Sequence, residues 1–310
     1  MTTKYDGIVR FERLFNFRDL STATGHILYN RVMRCANPIM ASEKDAAILL
    51  NSFNVKTLVD LRDPEEAGTV DDFANLLNNF ITVDAELSIP NGNFRTRRFL
   101  GNGISQVSQR PEMKEMNDRI QKVKREQGQE AAMMEVDMGF FMIVLIDTQP
   151  NLFRKALTLI SRKENHPCLF FCSAGRDRTG CLSMLILKIC GATDDEIVQD
   201  YLKSTCLASV ENVYSKYKFG MSKKQHAYFE KNGFGDADID ENEIDYDELD
   251  AAMDTFLLRL NPKDIMDTMN HIKTKYAYGS FNAYFDSIGF YENDRQRLKT
   301  ALSVYNSSSL

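Results

Sequence analysis

Short apolar runs rich in β-branched residues alternate with helical spacing in the first part of the chain. The runs at 27–33, 56–61 and 80–84 predict β-strands. Between the first two, Ser42 and Asp45 match a capping box ahead of apolar residues at helical spacing. This order of elements predicts an α/β fold whose sheet is mostly parallel.

The pattern turns helical and polar between about 100 and 148. It predicts two helices broken near Gly128. The section is long for a crossover between strands, so two interpretations stay open. One is a packed crossover layer, and the other is a helical lid inserted over a functional site.

A strand–helix unit follows this section. The spacing predicts a helix at 150–163, a buried strand at 167–172 and a helix at 181–190. Thr193 and Glu196 match a second capping box, which opens a helix through Tyr201. The rest is helical, with helices predicted at 206–232, 246–260, 262–275, 280–288 and 291–303. We therefore expect one domain over 1–310, with a central, mostly parallel sheet flanked by helices and a helical C-terminal third.

Composition adds that this is an ordinary globular chain. It has 310 residues, of which 43% are hydrophobic and 26% charged, and these figures exclude a disordered or fibrous protein. The longest apolar run, 140–146, is far short of the roughly 20 residues of a membrane span. The first residues lack the apolar core of a signal peptide, and the six cysteines are typical of reduced thiols. We expect a cytoplasmic protein without an integral membrane segment, and leaderless secretion stays open.

The charge is unevenly distributed. Residues 236–250 contain nine acidic side chains and no basic one, and removing those nine from the net charge of −6 leaves +3. This mildly basic body suits an anionic partner but is too weak for nucleic acid. The acidic strip lacks the glycine of an EF-hand at position six and is interpreted as a solvated loop.

The stretch FCSAGRDRTG at 171–180 carries the candidate chemistry, because it lies between a predicted strand and a helix. Such a loop directs backbone N–H groups into one concavity, and the helix N-terminus adds positive potential. This cradle should favour the thiolate form of Cys172, while Arg178 can bind two phosphate oxygens at once. Thr179 is placed for its hydroxyl to reach the Cys172 sulfur.

These groups match one reaction. A thiolate attacks phosphorus to give a cysteinyl-phosphate, an acid protonates the leaving oxygen, and water hydrolyses the intermediate. Because the cradle and Arg178 stabilise the transferring phosphoryl group, we expect neither a metal nor a cofactor.

The loop resembles that of the cysteine-dependent protein tyrosine phosphatases. The resemblance is closest to the atypical microbial branch that includes the secreted mycobacterial tyrosine phosphatase B and a listerial homologue. It extends over nearly the whole chain, through the segments NFRDL at 16–20, VKTLVDLRDPE at 55–65, DEIVQDYLKS at 195–204 and KYAYGSFNAYFDSIG at 275–289. It implies a tyrosine-phosphatase-like fold, with Cys172 as nucleophile and Arg178 as phosphate binder. It also implies phosphotyrosine substrates, and for some members phosphoserine, phosphothreonine or phosphoinositides.

Two positions depart from the pattern of these relatives. Phe171 stands where most have a histidine that orders the loop and favours the thiolate, so a phosphate-binding module with little turnover is the alternative function. Arg176 stands where most have lysine; it keeps the charge but has a different reach. A basic residue here often accompanies polyanionic substrates in phosphoinositide phosphatases.

The general acid has several candidates. Asp84 ends a predicted strand and resembles the loop aspartate of relatives, and a small alignment shift would promote Glu86 instead. Asp177 lies within the cradle loop itself. The predicted catalytic residues are thus Cys172, Arg178, Asp84 and Asp177, and the predicted phosphate-binding residues are Ser173, Ala174, Gly175, Arg176, Asp177, Arg178 and Thr179.

Other charged residues are interpreted as structural. We expect Arg18 with Asp19, and Asp60 with Arg62, to form ion or hydrogen-bond pairs near the carboxyl edge of the sheet. A cluster of arginines in the sequence RTRR favours a solvated basic face, with a rim for inositol phosphates or acidic peptides as the alternative; it consists of Arg95, Arg97 and Arg98.

Overall fold

In the part of the chain that the structure describes, six strands form one central sheet. The computed structural model describes residues 11–12, 14–38, 41–62, 76, 79–82, 95–100, 111–127, 137–205, 260–276 and 279–303. The strands are β1 (Arg18–Asp19), β2 (Val32–Cys35), β3 (Thr57–Asp60), β4 (Ile81–Thr82), β5 (Thr96–Phe99) and β6 (Cys168–Phe171). Their order is β1-β2-β6-β3-β5-β4, and among these described strands only the β1–β2 pairing is antiparallel. The predicted α/β class with a mostly parallel sheet is confirmed.

The helices of the described part flank this sheet and dominate its C-terminal third. They are α1 (Glu43–Ala47), α2 (Pro111–Gln127), α3 (Met138–Thr148), α4 (Pro150–Ile160), α5 (Asp177–Cys190), α6 (Asp194–Leu202), α7 (Pro262–Lys275), α8 (Phe281–Ser287) and α9 (Glu292–Leu302). Both predicted capping boxes are confirmed, at Ser42 with Asp45 and at Thr193 with Glu196. A helix Pro111–Gln127 and a second helix Met138–Thr148 confirm the two predicted for that section.

Several predicted elements lie wholly or partly outside the described residues. They are the helices at 206–232 and 246–260, apart from residue 260, the end of the strand at 80–84, and the acidic strip at 236–250. In the part of the chain that the structure describes, no helix is long and apolar enough to cross a membrane.

Side chains of the central strands enter two hydrophobic cores, one on each face of the sheet. Along β6, Leu169 and Phe171 belong to one core, whereas Phe170 and the following Cys172 belong to the other. The larger core holds the inner sides of α4, α5 and α7, and the smaller core holds residues around α1. Because central strands of a parallel sheet are covered on both faces, β6 is apolar at every position.

The register brings three strand ends to one edge. Cys35 of β2 and Asp60 of β3 both lie opposite Phe171 of β6. The chain therefore leaves β6 at Cys172 with a strand end on either side. This is the carboxyl edge, where open α/β sheets bind ligands.

Candidate active site

The site begins where β6 ends. Cys172 directly follows Phe171 and is 2% exposed, and α5 starts at Asp177 after only four intervening residues. The N-terminal N–H groups of a helix have no partner within the helix. A tight loop between a buried strand and α5 therefore directs backbone donors and positive potential at the space above Cys172.

The loop is held from outside through three successive carbonyls. The Ser173 carbonyl accepts from the Asn37 N–H at 3.0 Å. The Ala174 carbonyl accepts from Asn16 Nδ2 at 2.9 Å, and the Gly175 carbonyl accepts from Arg34 Nη2 at 2.8 Å. The C=O and N–H of one trans peptide point in opposite directions. The N–H of the residue that follows each of these carbonyls therefore points away from the contact. This arrangement leaves the N–H groups for the inner side of the loop.

Gly175 allows the loop to lie against β2. Its φ is +66°, in the left-handed region, and a Cβ there would lie 2.4 Å from the Cys35 carbonyl oxygen and 2.5 Å from the Ala36 nitrogen. Any side chain would collide with backbone that cannot move aside. The turn therefore requires glycine at this position.

A hydroxyl contacts the sulfur of Cys172. Thr179, on the first turn of α5, is fully buried and donates from Oγ1 to Cys172 Sγ at 3.1 Å. This contact confirms the prediction that the Thr179 hydroxyl reaches the sulfur. It fixes the sulfur relative to the helix and supplies a donor for a thiolate.

The charged residues of the loop lie around its mouth and are half-buried. Arg178 Nη1 is 3.4 Å from the Leu61 carbonyl oxygen, beyond the end of β3. Arg176 Nε donates to Asp177 Oδ1 at 3.0 Å. Burial lowers the pKa of Arg176, but the neighbouring Asp177 carboxylate outweighs this and raises it overall. Two arginines and one carboxylate thus lie on three consecutive residues, 176–178.

A second carboxyl, that of Asp264, lies near this group. Asp264 belongs to the N-terminal capping box of α7 and lies 3.4 Å from the Tyr201 hydroxyl. Burial raises its pKa, and Asp177 adds to the rise while Arg176 opposes it. Asp264 is not among the candidates predicted from the sequence, because no spacing in the chain places α7 beside the loop.

Behind the loop lies a buried ionic network. Asp200 of α6 accepts from Arg18 Nε and from Arg34 Nη1, each at 2.7 Å. Arg18 also donates to the Asp200 carbonyl and to Ser204 Oγ. Burial raises the pKa of Asp200, but the two guanidinium groups outweigh this and hold it below its usual value. The network ties β1, β2 and α6 to the loop through Arg34 and Gly175.

Comparison with known proteins agrees with this geometry. A family model described as "Tyrosine phosphatase family" matches residues 9–304. The chain belongs to the tyrosine phosphatase family. It is 25% identical over 200 residues to the Cupriavidus necator protein named "Putative tyrosine-protein phosphatase H16_A0669". The match spans 63% of this chain and 62% of that relative, so it covers less than two thirds of the relative's length.

Assignment to the microbial branch with the mycobacterial and listerial enzymes stays a prediction from the motifs. So do a cytoplasmic location, a single domain and a lid in the section that contains α2 and α3.

The expected pairing of Arg18 with Asp19 is wrong. Arg18 binds Asp200 instead, and the Asp19 carboxylate accepts from the backbone N–H groups of Ser21 at 2.8 Å and Asn30 at 2.6 Å. The pairing of Asp60 with Arg62 is confirmed, with contacts of 2.9 and 2.8 Å.

We expected the arginine cluster of this tyrosine phosphatase to form a solvated basic face. That prediction is wrong for Arg97 and Arg98. Arg97 and Arg98 are 2% and 1% exposed, and Arg97 Nη2 binds Asp60 at 3.0 Å. Arg95 is half-buried and donates to the Leu50 carbonyl. The strand β5 lies inside the sheet, between β3 and β4, and its arginines are buried with it.

Of the three candidates for the general acid, the structure describes Asp177 alone. Asp177 is the first residue of α5, and its side chain is 16% exposed. Asp84 and Glu86 lie outside the described residues. Phe171 is fully buried in the smaller core, with the Arg62 guanidinium 5.4 Å from its ring centroid. The residue that precedes the cysteine is therefore a packing residue without a polar donor.

Proposed function

We propose that this protein hydrolyses phosphomonoesters through a cysteinyl-phosphate formed on Cys172, with phosphotyrosine proteins as its leading substrates. The observation that carries the proposal is the sulfur of Cys172, 3.1 Å from the Thr179 hydroxyl at the base of a loop whose carbonyls are bound from outside. Family membership and this loop support the same chemistry from independent directions.

The reaction has two steps. The Cys172 thiolate attacks phosphorus as the bond from phosphorus to the leaving oxygen breaks, and a carboxylic acid gives that oxygen its proton. Water then attacks phosphorus, its proton passes to the carboxylate, and the sulfur–phosphorus bond breaks to release inorganic phosphate. The loop N–H groups and the Arg178 guanidinium stabilise the charge on the transferring phosphoryl oxygens throughout.

Asp177 is the described loop carboxylate with a route to the leaving oxygen, and Asp84 is the other predicted acid. Asp177→Asn and Asp84→Asn, each measured on p-nitrophenyl phosphate and on phenyl phosphate, separate them. Loss of the acid slows the substrate with the poorer leaving group, phenyl phosphate, far more than the other. Asp264→Asn belongs in the same series, because a raised pKa beside the loop suits a proton donor.

The substrate class follows from the charges around the loop. Arg97 and Arg98 are buried, and they therefore give little support to a rim for inositol phosphates. Arg176 remains as support for phosphoinositides, though it is paired with Asp177. A panel of phosphotyrosine, phosphoserine and phosphothreonine peptides with phosphoinositides ranks these classes. Phosphoinositide release faster than phosphotyrosine release would overturn the order proposed.

The deciding experiment measures phosphate release from p-nitrophenyl phosphate between pH 5 and 8.5 in EDTA, for wild type and Cys172→Ser. We expect activity that resists EDTA and is lost in the variant. The second candidate function, a phosphate-binding module, is favoured by Phe171. It predicts negligible wild-type release, together with phosphopeptide binding that survives Cys172→Ser.

A further inference from the structure

The ionic network behind the loop carries an excess positive charge. Two guanidinium groups, those of Arg18 and Arg34, share the single carboxylate of Asp200, and the three side chains are 6%, 0% and 1% exposed. An uncompensated buried charge is costly, and it favours an anion close by. Two points then need an answer: which of the two arginines lies against the loop, and which group its positive charge stabilises.

Arg34 is the arginine that faces the loop. The polar contacts of Arg18 go to the backbone and side chain of Asp200, to Ser204 and to the Asn16 carbonyl. Arg34 gives one donor to Asp200 and one to the Gly175 carbonyl, whereas its Nε is buried and has no hydrogen-bond partner among the described residues. The positive charge of Arg34 is therefore only partly compensated, and it lies on the side of the loop.

Cys172 is the group that can use this potential. Burial and the charge of Arg18 lower the pKa of Arg34 to about 10, and the electrostatic effect of Cys172 acts in the opposite direction. Burial raises the pKa of the Cys35 and Cys181 thiols, which keeps both neutral. The strands and helices around Cys172 present these charged or titratable groups: Arg34 and Cys35 on β2, Asp60 at the end of β3 and Arg62 after it, Asp177, Arg178 and Cys181 on α5, and Asp200 on α6.

The carboxylates of this set already have close partners. Asp60 binds Arg62 and Arg97, Asp177 binds Arg176, and Asp200 binds both arginines of the network. Phe171, beside Cys172, supplies no donor to the sulfur. The buried cation that lies within electrostatic reach of Cys172 and holds its loop is Arg34.

We infer that Arg34 is a positioning residue that favours the thiolate form of Cys172 from behind the loop while it holds the Gly175 carbonyl. The inference rests on the proposed role of Cys172 as nucleophile. It assigns to β2 a part of the active site that makes no contact with the transferring phosphoryl group.

The test is alkylation of the full-length protein by iodoacetamide between pH 5 and 9, without substrate. Modification at Cys172 is read by mass spectrometry, and fragmentation separates it from Cys168 on the same peptide. Arg34→Gln should move the midpoint of the rate profile up by about one pH unit, the lower end of what a nearby charge produces. Asp200→Asn, which removes a negative charge, should move it down. Arg295→Gln is the matched control, because this arginine is 8% exposed and binds Asp286 and Glu292 on the surface of α8 and α9.

The opposite signs distinguish charge from damage. A loosened loop would move both variants in the same direction, and that result, or no shift in either, overturns the inference. Arg34→Lys keeps the charge and should leave the midpoint near that of wild type. If Arg34→Gln does not fold, the downward shift of Asp200→Asn decides the question. Alkylation needs no turnover, so opposite shifts in a protein that releases no phosphate would support the role of Arg34 while removing the proposed function.

Discussion

The two ends of α5 are built from the same parts with different burial. Each end has a glycine with positive φ, Gly175 at +66° and Gly191 at +91°. Each has a carboxylate of α6 between two cations: Asp200 with Arg18 and Arg34, and Asp194 with Lys188 and Lys273. Asp200 is 1% exposed, whereas Asp194 is 44% exposed.

The comparison teaches that burial decides whether a glycine and an ion-paired carboxylate fix the conformation of the neighbouring loop. At the exposed end, Gly191 simply ends the helix, and water can replace any lost ion pair. At the buried end, the same kinds of group hold one loop conformation, because no solvent is available to substitute for a missing partner.

The largest expected effect comes from the two carboxylates. Asp200→Ala leaves two buried guanidinium groups without their partner and should lower the free energy of unfolding by about 3–5 kcal/mol. Asp194→Ala should lower it by about 0–1 kcal/mol, because its pairs are exposed to solvent. Urea denaturation of both variants checks this. Equal losses would show that burial does not separate the two ends.

The glycines should differ next. Gly175→Ala places a Cβ against the backbone of Cys35 and Ala36 and should cost about 2–5 kcal/mol, the sum of overpacking and backbone strain. It should also abolish phosphate release. Gly191→Ala meets no atom within 4 Å and should cost only the strain, about 1–2 kcal/mol, with activity kept. Activity retained in Gly175→Ala would contradict the loop geometry.

Two hydroxyls on α5 allow a sharper comparison within the buried end. Thr179 donates to the Cys172 sulfur, whereas Ser183, one turn later, donates to the Thr179 carbonyl. Thr179→Val should lower kcat by about 10- to 100-fold, the loss of one hydrogen bond to a charged group. Thr179→Ser should keep most of the rate, and Ser183→Ala should leave kcat near wild type. Steady-state hydrolysis of p-nitrophenyl phosphate measures all three.

The smallest effect concerns acid. Burial raises the pKa of Asp194, but Lys188 and Lys273 outweigh this and lower it overall. A lowered pKa means that the carboxylate stabilises the fold above its unfolded pKa and loses this contribution as pH falls through the folded value. The stability difference between wild type and Asp194→Asn should be at most about 1 kcal/mol at pH 7, should shrink below roughly pH 4, the unfolded pKa, and should vanish below the folded pKa. Urea denaturation at pH 7 and pH 3 measures it, and a difference that grows in acid would reverse the sign.

Elements with a local cause were predictable from the chain. The capping boxes at Ser42 and Thr193 and the helix at 262–275 depend on neighbours within a few residues. The predicted ends of helices and strands differ from the observed ones where distant residues determine them. The helix expected from 181 begins at Asp177, because the loop before it is pulled tight by Asn16, Arg34 and Asn37. The strand expected at 27–33 is Val32–Cys35, where its partner β6 lies.

The sequence alone determined the α/β class and the Cys172–Thr179 contact, because a separation of only seven positions, through one tight loop into a helix, leaves few ways to arrange that cysteine and that hydroxyl. The partner of Arg18, the burial of Arg97 and Arg98, and the approach of Arg34 to Gly175 were decided by tertiary structure. These contacts join residues up to 182 positions apart. The sequence around a charged side chain does not indicate whether it will face water or another charge. That depends on which strands and helices pack around it.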